Sequence, residues 1–212
     1  ARSKCHDCPQ LGVQYPLTDR KERVRAALAH HKRAMSSESL SLFPDFEQRL
    51  AVLRHLGYVD AASDTVNIKG RVACEIGTAD ELVVTEMVFE GVLDGLNPAE
   101  AAGILSALVC QEKSSDEEPL TERMEVAKRR VVAIARGLGE LQAQAGLPTT
   151  SEDNVSQTAN WSMAHVVYLW ACQAPFRRVT DFTVAMEGSI VRTVSRLDEL
   201  CKDVRNAARI TG

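Results

Sequence analysis

The sequence predicts an all-α protein, a bundle of six or seven helices with at most a short extended segment. Three observations carry that prediction. Aromatic residues make up only 5% of the chain, and its β-branched runs are short, which disfavours sheet. Ala, Leu, Glu and Arg dominate long stretches, and these are strong helix formers. Apolar residues recur three and four positions apart, bracketed by capping and stop signals. With 212 residues, 45% of them hydrophobic and 25% charged, the chain is long enough for one cored domain plus an extension.

The elements follow in order. Residues 1–18, with Pro9, Gly12 and Pro16, read as irregular. Residues 19–35 carry Arg20, Lys21, Arg23, Arg25, Lys32 and Arg33, with Val24, Leu28 and Met35 as thin apolar content. This run has helical character, ends at Ser36-Ser37 and reads as a connecting arm spanning residues 1–38, followed by the bundle at 39–212. Phe43, Phe46, Leu50, Leu53 and Leu56 form a helical stripe that Gly57 stops. Val66 and Ile68 alternate and suggest a short extended segment. Thr78, with Glu81 three residues on, reads as the cap of a helix through Leu82, Thr85, Val88, Phe89 and Leu93. Asn97-Pro98-Ala99-Glu100 opens the next helix, which carries Ala101, Ile104, Leu105, Leu108 and Val109. Gln111–Pro119 is an acidic, polar loop.

The longest helix comes next. Leu120, Met124, Ala127, Val131, Ile134, Leu138, Leu141 and Ala145 alternate four and three apart, a seam about 39 Å long at 1.5 Å per residue. It should be the central pillar, with Val131, Ile134 and Leu138 buried. Gly146-Leu147-Pro148 ends it; Met163, Val166, Val167 and Trp170 mark a further helix, Pro175–Val179 a short one, and Glu187–Arg209 the last.

Composition and motifs exclude several functions. The formal net charge of −4 argues against coating nucleic acid by charge alone. No stretch reaches the ~18 uninterrupted apolar residues of a membrane helix. The chain starts Ala1-Arg2-Ser3-Lys4 without Met or an apolar run, so we expect no signal peptide and a piece of a longer or trimmed protein. Of the six cysteines, Cys74, Cys110, Cys172 and Cys201 fall inside apolar helical patterns, where a free thiol acts as a small hydrophobe. Without a secretion signal, a reducing intracellular setting is expected, and the glycosylation triplets at Asn154 and Asn160 carry no meaning there. Cys5-His6-Asp7-Cys8 has the spacing of half a zinc site, but zinc wants four ligands, and His30 and His31 belong to a separate helical run. His165 reads as a packed or half-exposed histidine rather than a base. No phosphate-cradling loop, nucleophile elbow or His-Glu-x-x-His is present, so no catalytic, metal or cofactor-binding residue is assigned.

The last helix is the most informative. Ile190, Val194, Leu197, Cys201, Val204 and Ala208 form an apolar seam, and Arg192, Arg196, Glu199 and Asp203 a polar stripe with the same spacing. At two residues' offset the stripes should lie roughly 160–200° apart. On pattern alone, a solvated face with paired side chains, Arg192 to Arg196 to Glu199, accounts for the polar one.

Several strings in order resemble one family. Leu42-Phe-Pro-Asp-Phe-Glu-Gln-Arg49, Val52-Leu-Arg-His-Leu-Gly-Tyr-Val59 and Lys69-Gly-Arg-Val-Ala-Cys-Glu-Ile76 come first. Glu81-Leu-Val-Val-Thr-Glu-Met87, Leu138-Gly-Glu-Leu-Gln142, Val166-Val-Tyr-Leu-Trp170, Glu187-Gly-Ser-Ile-Val-Arg192 and Arg196-Leu-Asp-Glu-Leu-Cys201 follow. Together, over residues 40–212, they resemble the DSHCT region that ends the DExH RNA helicases serving the RNA exosome. Leu138-Gly-Glu-Leu-Gln142 and the Leu-Asp-Glu-Leu-Cys201 string favour the cytoplasmic superkiller branch over its nuclear relative.

The resemblance implies a non-catalytic module of an ATP-dependent 3′-to-5′ RNA helicase. Its RecA-like core would hold ATP and Mg, and the bundle would close the RNA channel. Residues 1–38 would be the arm returning from the family's insertion domain. Glu187–Arg209 would be the ratchet helix, with Arg196 and Glu199 facing RNA and Arg192 adjacent. The implied partners are single-stranded RNA, the helicase core of the same polypeptide, superkiller complex subunits and the exosome, with no membrane. The location would be cytoplasmic, or nuclear for the other branch. Three departures stand out: the helicase motifs and the family's final C-terminal helices are missing, Leu169 stands where the family usually has Glu, and His165 stands where an acidic residue is common. Two other functions compete. One is a protein-interaction bundle docking on a helicase core or complex partners without touching RNA. The other is a helix-turn-helix DNA binder, which the acidic groups on the exposed stripe disfavour. Open access to Arg192, Arg196 and Glu199 would separate RNA contact from pure docking.

Overall fold

A computed structural model describes residues 9–35, 42–112 and 119–211. The chain divides into two units, Ala1–Glu47 and Gln48–Gly212. Ten α-helices stand among the described residues, and the only β-pairing there is a single bridge between Val59 and Val66. The all-α bundle is therefore as expected, with more helices than the six or seven predicted. The extra ones are short or polar. No described helix is long and apolar enough to cross a membrane.

Helix α1 (Leu11–Ala34) buries none of its residues. It begins well inside the segment expected to be irregular, with Pro16 in its second turn. Proline's fixed φ suits a helix, and that early it removes only one backbone hydrogen bond. Cys5, His6, Cys8 and Ser36-Ser37 lie outside the described residues.

Helix α2 (Phe43–His55) ends at Gly57, whose φ of 75° allows the left-handed turn. The amides of Gly57 and Tyr58 then donate back to the carbonyls of Arg54 and Leu53, a Schellman closure. Ile68, read as extended, instead opens α3 (Ile68–Ala73). Helix α4 (Glu81–Phe89) is capped by Asp80, which accepts from the Val83 amide at 2.9 Å. The expected cap, Thr78, is engaged elsewhere. Burial raises the Asp80 pKa above the usual carboxylate range.

Helix α5 (Pro98–Ser106) has the predicted capping box: Glu100 N–H donates to Asn97 Oδ1 at 2.9 Å, and Asn97 N–H to Glu100 Oε2 at 3.0 Å. The other Glu100 oxygen accepts from Thr121 Oγ1 at 3.0 Å. Thr121 caps α6 (Glu122–Gln144), so one buried carboxylate fixes the starts of two helices.

The α6 seam is buried at Met124, Ala127, Val131, Ile134 and Leu138, as read. Helix α7 (Ser151–Thr158) packs on α6 where Gly139 leaves room; a Cβ at Gly139 would lie 2.7 Å from Ser151 Cα. Asn154 Nδ2 donates to the Ala135 carbonyl at 2.6 Å, so Asn154 is buried and engaged, which closes that glycosylation triplet. A 3-10 turn (Trp161–Met163) leads into α8 (Ala164–Ala171), followed by α9 (Phe176–Thr180) and α10 (Glu187–Thr211). Helix α8 packs on α5, and α10 packs on α3, α5 and α8. A single apolar core includes Val83, Met87, Ile104, Met124, Val131, Val167, Ile190 and Leu200. Cys110 lies at its edge, but Cys74, Cys172 and Cys201 are exposed rather than packed. Cys74 and Cys172 stand at the C-terminal ends of α3 and α8, and Cys201 lies on the outer side of α10.

Candidate nucleic-acid interface

The last helix turns a different face inward than its strongest hydrophobes suggest. Its buried residues are Ser189, Ile190, Thr193, Leu197, Leu200 and Ala207, while Cys201 and Ala208 are exposed. At 100° per residue the core face is rotated roughly 65° from the expected one, toward the polar stripe. Small and polar residues make this possible. Thr193 Oγ1 donates to the Ser189 carbonyl at 2.9 Å, which satisfies the hydroxyl inside the core. The polar stripe therefore flanks the packed face instead of opposing it, and its members have separate fates.

Asp203 is a latch. Its Oδ2 accepts from the amides of Gly77 at 3.1 Å and Thr78 at 3.2 Å, and also from Thr78 Oγ1. This ties the α3–α4 turn to α10 and explains why Thr78 does not cap α4. Arg192 is exposed, and its Nη2 donates to Ser189 Oγ at 2.9 Å. Arg196 is half-buried and Glu199 exposed. Among the described residues neither makes a hydrogen bond or ion pair. The helix-stabilising pairs Arg192–Arg196–Glu199 are thus not formed, and Glu199 does not hold the guanidinium.

Arg196 stands between two cavities. A groove of about 800 Å³ is walled on one side by Arg196 and Glu199 and at one end by Gly77 and Thr78. Across it lie Leu108–Gln111, after α5, and Ser156–Trp161, the end of α7 and the turn that follows. A smaller cavity of about 220 Å³ is lined by Arg192, Arg196, Thr193, Ser189, Gln111 and Glu112. The far wall is held rigidly. Asn160 N–H donates to the Ala107 carbonyl at 2.7 Å, Asn160 Nδ2 to the Glu112 carbonyl, and Ser162 Oγ to that same carbonyl at 3.3 Å. Asn160, read first as part of a glycosylation triplet, is therefore a structural corner.

Sequence patterns gave no signal for this far wall, because it joins segments about fifty residues apart. His165 is half-buried beside Phe182, ring centroids 5.6 Å apart, and Tyr168, 6.1 Å. No group of three or more potential metal ligands occurs among the described residues. The site's means are those of recognition: a partnerless guanidinium with five donors, a carboxylate on the same wall, and an open groove beside them.

The DSHCT (NUC185) domain family matches residues 63–212. The chain belongs to the DSHCT family. Its relatives extend the match to nearly all of the sequence. The DExH-box ATP-dependent RNA helicase DExH11 of Arabidopsis thaliana is 39% identical over 210 residues, 99% of this chain and 16% of that protein. Superkiller complex protein 2 of Homo sapiens is 37% identical over 210 residues, 99% of this chain and 17% of its own length. The exosome RNA helicase MTR4 of Homo sapiens is 36% identical over 208 residues, 98% of this chain and 20% of its own. This DSHCT chain thus spans roughly a sixth to a fifth of the length of these helicases.

The structure also explains the DSHCT string Lys69-Gly70-Arg71. Lys69 Nζ lies 2.7 Å from Glu86 Oε1 and donates to the Leu56 carbonyl at 3.2 Å. It also sits over the Tyr58 ring, 5.0 Å from its centroid, a cation–π contact. A Cβ at Gly70 would stand 2.5 Å from the Tyr58 carbonyl oxygen, too close for any side chain. Lys69 and Gly70 therefore fasten α3 to the turn after α2, and the string is structural.

Proposed function

We propose that this chain is the non-catalytic, RNA-contacting module of a longer ATP-dependent 3′-to-5′ RNA helicase that delivers RNA to the exosome. In this reading α10 is the ratchet helix. A single strand runs along the groove, Arg196 and Glu199 touch it, and Arg192 lies beside them.

One observation carries the reading. Arg196 is half-buried without a partner at the border of two cavities, and Glu199 is free on the same wall. A guanidinium partly removed from water and left unpaired is a group whose energy falls when a ligand supplies acceptors. Single-stranded RNA supplies phosphate oxygens, base edges and π-faces on which arginine stacks. With the Glu199 and Glu112 carboxylates nearby, bases and riboses suit the groove better than a continuous phosphate track. No described helix covers the stripe, which favours RNA contact over pure docking.

The rest of the reading extends to the longer protein. ATP and Mg belong to a RecA-like core on the same polypeptide, and residues 1–38 are the arm returning from an insertion. The superkiller branch, with superkiller subunits and the exosome as partners in the cytoplasm, is favoured by the strings ending at Gln142 and Cys201.

The test is Arg196→Ala in the full-length helicase. A contact of this kind contributes about 1–3 kcal/mol, so unwinding should weaken by an order of magnitude or more. The melting curve and the RNA-free ATPase should stay near wild type. A variant that unwinds normally, or one that unfolds, returns the stripe to a solvated or structural face.

A further inference from the structure

Gln111 and Arg196 are the two residues that line both the groove and the smaller cavity. They come from different elements, the turn after α5 and the middle of α10, and each borders both spaces. The Gln111 side chain is exposed and makes no hydrogen bond among the described residues. Its backbone, in contrast, is fixed on both sides. Cys110 N–H donates to the Ser106 carbonyl at 3.0 Å. The Glu112 carbonyl accepts from Asn160 Nδ2, from Ser162 Oγ and, at 3.9 Å, from Cys110 Sγ. A free amide on an anchored backbone is a preorganised recognition group. It loses only side-chain freedom on binding, and it offers two donors and an acceptor.

We propose that the Gln111 amide is a third nucleotide-contacting group, bonding a ribose hydroxyl or base edge of the strand that Arg196 engages. The inference rests on the reading of this groove as an RNA path. Gln111 adds what the two ionised side chains lack, a neutral donor and acceptor on the opposite wall. A strand in the groove is thereby held from both sides, and the uncharged contact is insensitive to salt.

The experiment uses the full-length helicase and fluorescent oligouridylate, with affinity and the half-saturation of RNA-stimulated ATPase as readouts. Gln111→Ala should weaken both by about three- to ten-fold, the loss of one hydrogen bond between uncharged groups. RNA-free ATPase and Tm should not change. Gln111→Glu, which keeps the length but loses the donors, should be no better than alanine. Repeating the measurement on a 2′-deoxy strand locates the contact: a penalty that vanishes there assigns the ribose hydroxyl, and one that persists assigns the base. If Gln111→Ala binds like wild type while Arg196→Ala does not, the Gln111 assignment falls and the groove reading stands. If neither variant weakens binding, both fall. A lowered Tm for Gln111→Ala makes the side chain structural and also overturns the proposal.

Discussion

Helices α6 and α10 are close in length, 23 and 25 residues, and both are amphipathic, yet their inward faces follow different rules. In α6 the buried positions Met124, Ala127, Val131, Ile134 and Leu138 fall on the apolar seam read from the sequence, with Ala135 and Gly139 beside it. In α10 the inward face takes Ser189, Thr193 and Ala207 along with Ile190, Leu197 and Leu200, and leaves Cys201 and Ala208 outside. A helix at the centre of a bundle can keep its apolar seam inward and still admit a close neighbour, as Gly139 does for α7. One laid across three partners can use small residues for close approach, provided each buried hydroxyl finds an acceptor. Thr193 finds it one turn back on its own helix. Hydrophobicity alone therefore locates the face of the first kind of helix and misplaces that of the second.

The sharpest break of this comparison is a pair of adjacent substitutions. Leu200→Ala and Ile134→Ala should each cost about 2–5 kcal/mol, read as a lower denaturation midpoint at unchanged slope. Cys201→Ala, beside Leu200, should stay within about 0.5 kcal/mol. Equal effects at 200 and 201 would restore the face expected from the sequence.

A smaller effect separates two members of the polar stripe. Asp203→Ala removes three hydrogen bonds to the α3–α4 turn and should cost about 1–2 kcal/mol, given partial exposure. It should also loosen the groove end at Gly77 and Thr78, whereas Arg196→Ala leaves stability alone. Stability curves that coincide for the two variants would deny the latch.

The smallest effect is on pH dependence at Tyr58. Burial first, and then the hydrogen bond to Glu86, raise its pKa above the ordinary 10.0. The folded state keeps the proton that the unfolded state releases, so this stabilisation is complete below pH 10.0 and is lost as pH rises above it. Tyr58→Phe should cost about 1 kcal/mol at neutral pH and flatten the loss at alkaline pH. An unchanged alkaline slope would place the sensitivity elsewhere.

What was legible in the sequence divides along the same line. Signals closed within a few residues were readable: Asn97 with Glu100, the Gly57 stop, and the four-three seam of α6. Signals completed from a distance were not. Thr78 has the residue type and spacing of a cap, but Asp203, 125 positions away, takes its hydroxyl. Ile68 was read as extended, but it opens α3, where Glu86 and Tyr58 hold the neighbouring Lys69. Of the candidate site, α10 was legible because it is long and regular, whereas Arg196 and Glu199 were singled out on it by the family resemblance. The opposing wall at Gln111 and Asn160 was hidden, since it is made by two turns from different parts of the chain.

The Asp203 latch has a consequence for the order in which the molecule is assembled. Gly77 and Asp203 are 126 positions apart, so no nascent chain that has yet to expose α10 can close this end of the groove. Helices α4–α8 bury much apolar surface against one another and can gather while synthesis continues. Loop-closure entropy makes the long-range docking of α10 the late step. A ribosome-bound intermediate would then hold most of the core and an unfinished groove, and the groove would be completed in one step as α10 lies down.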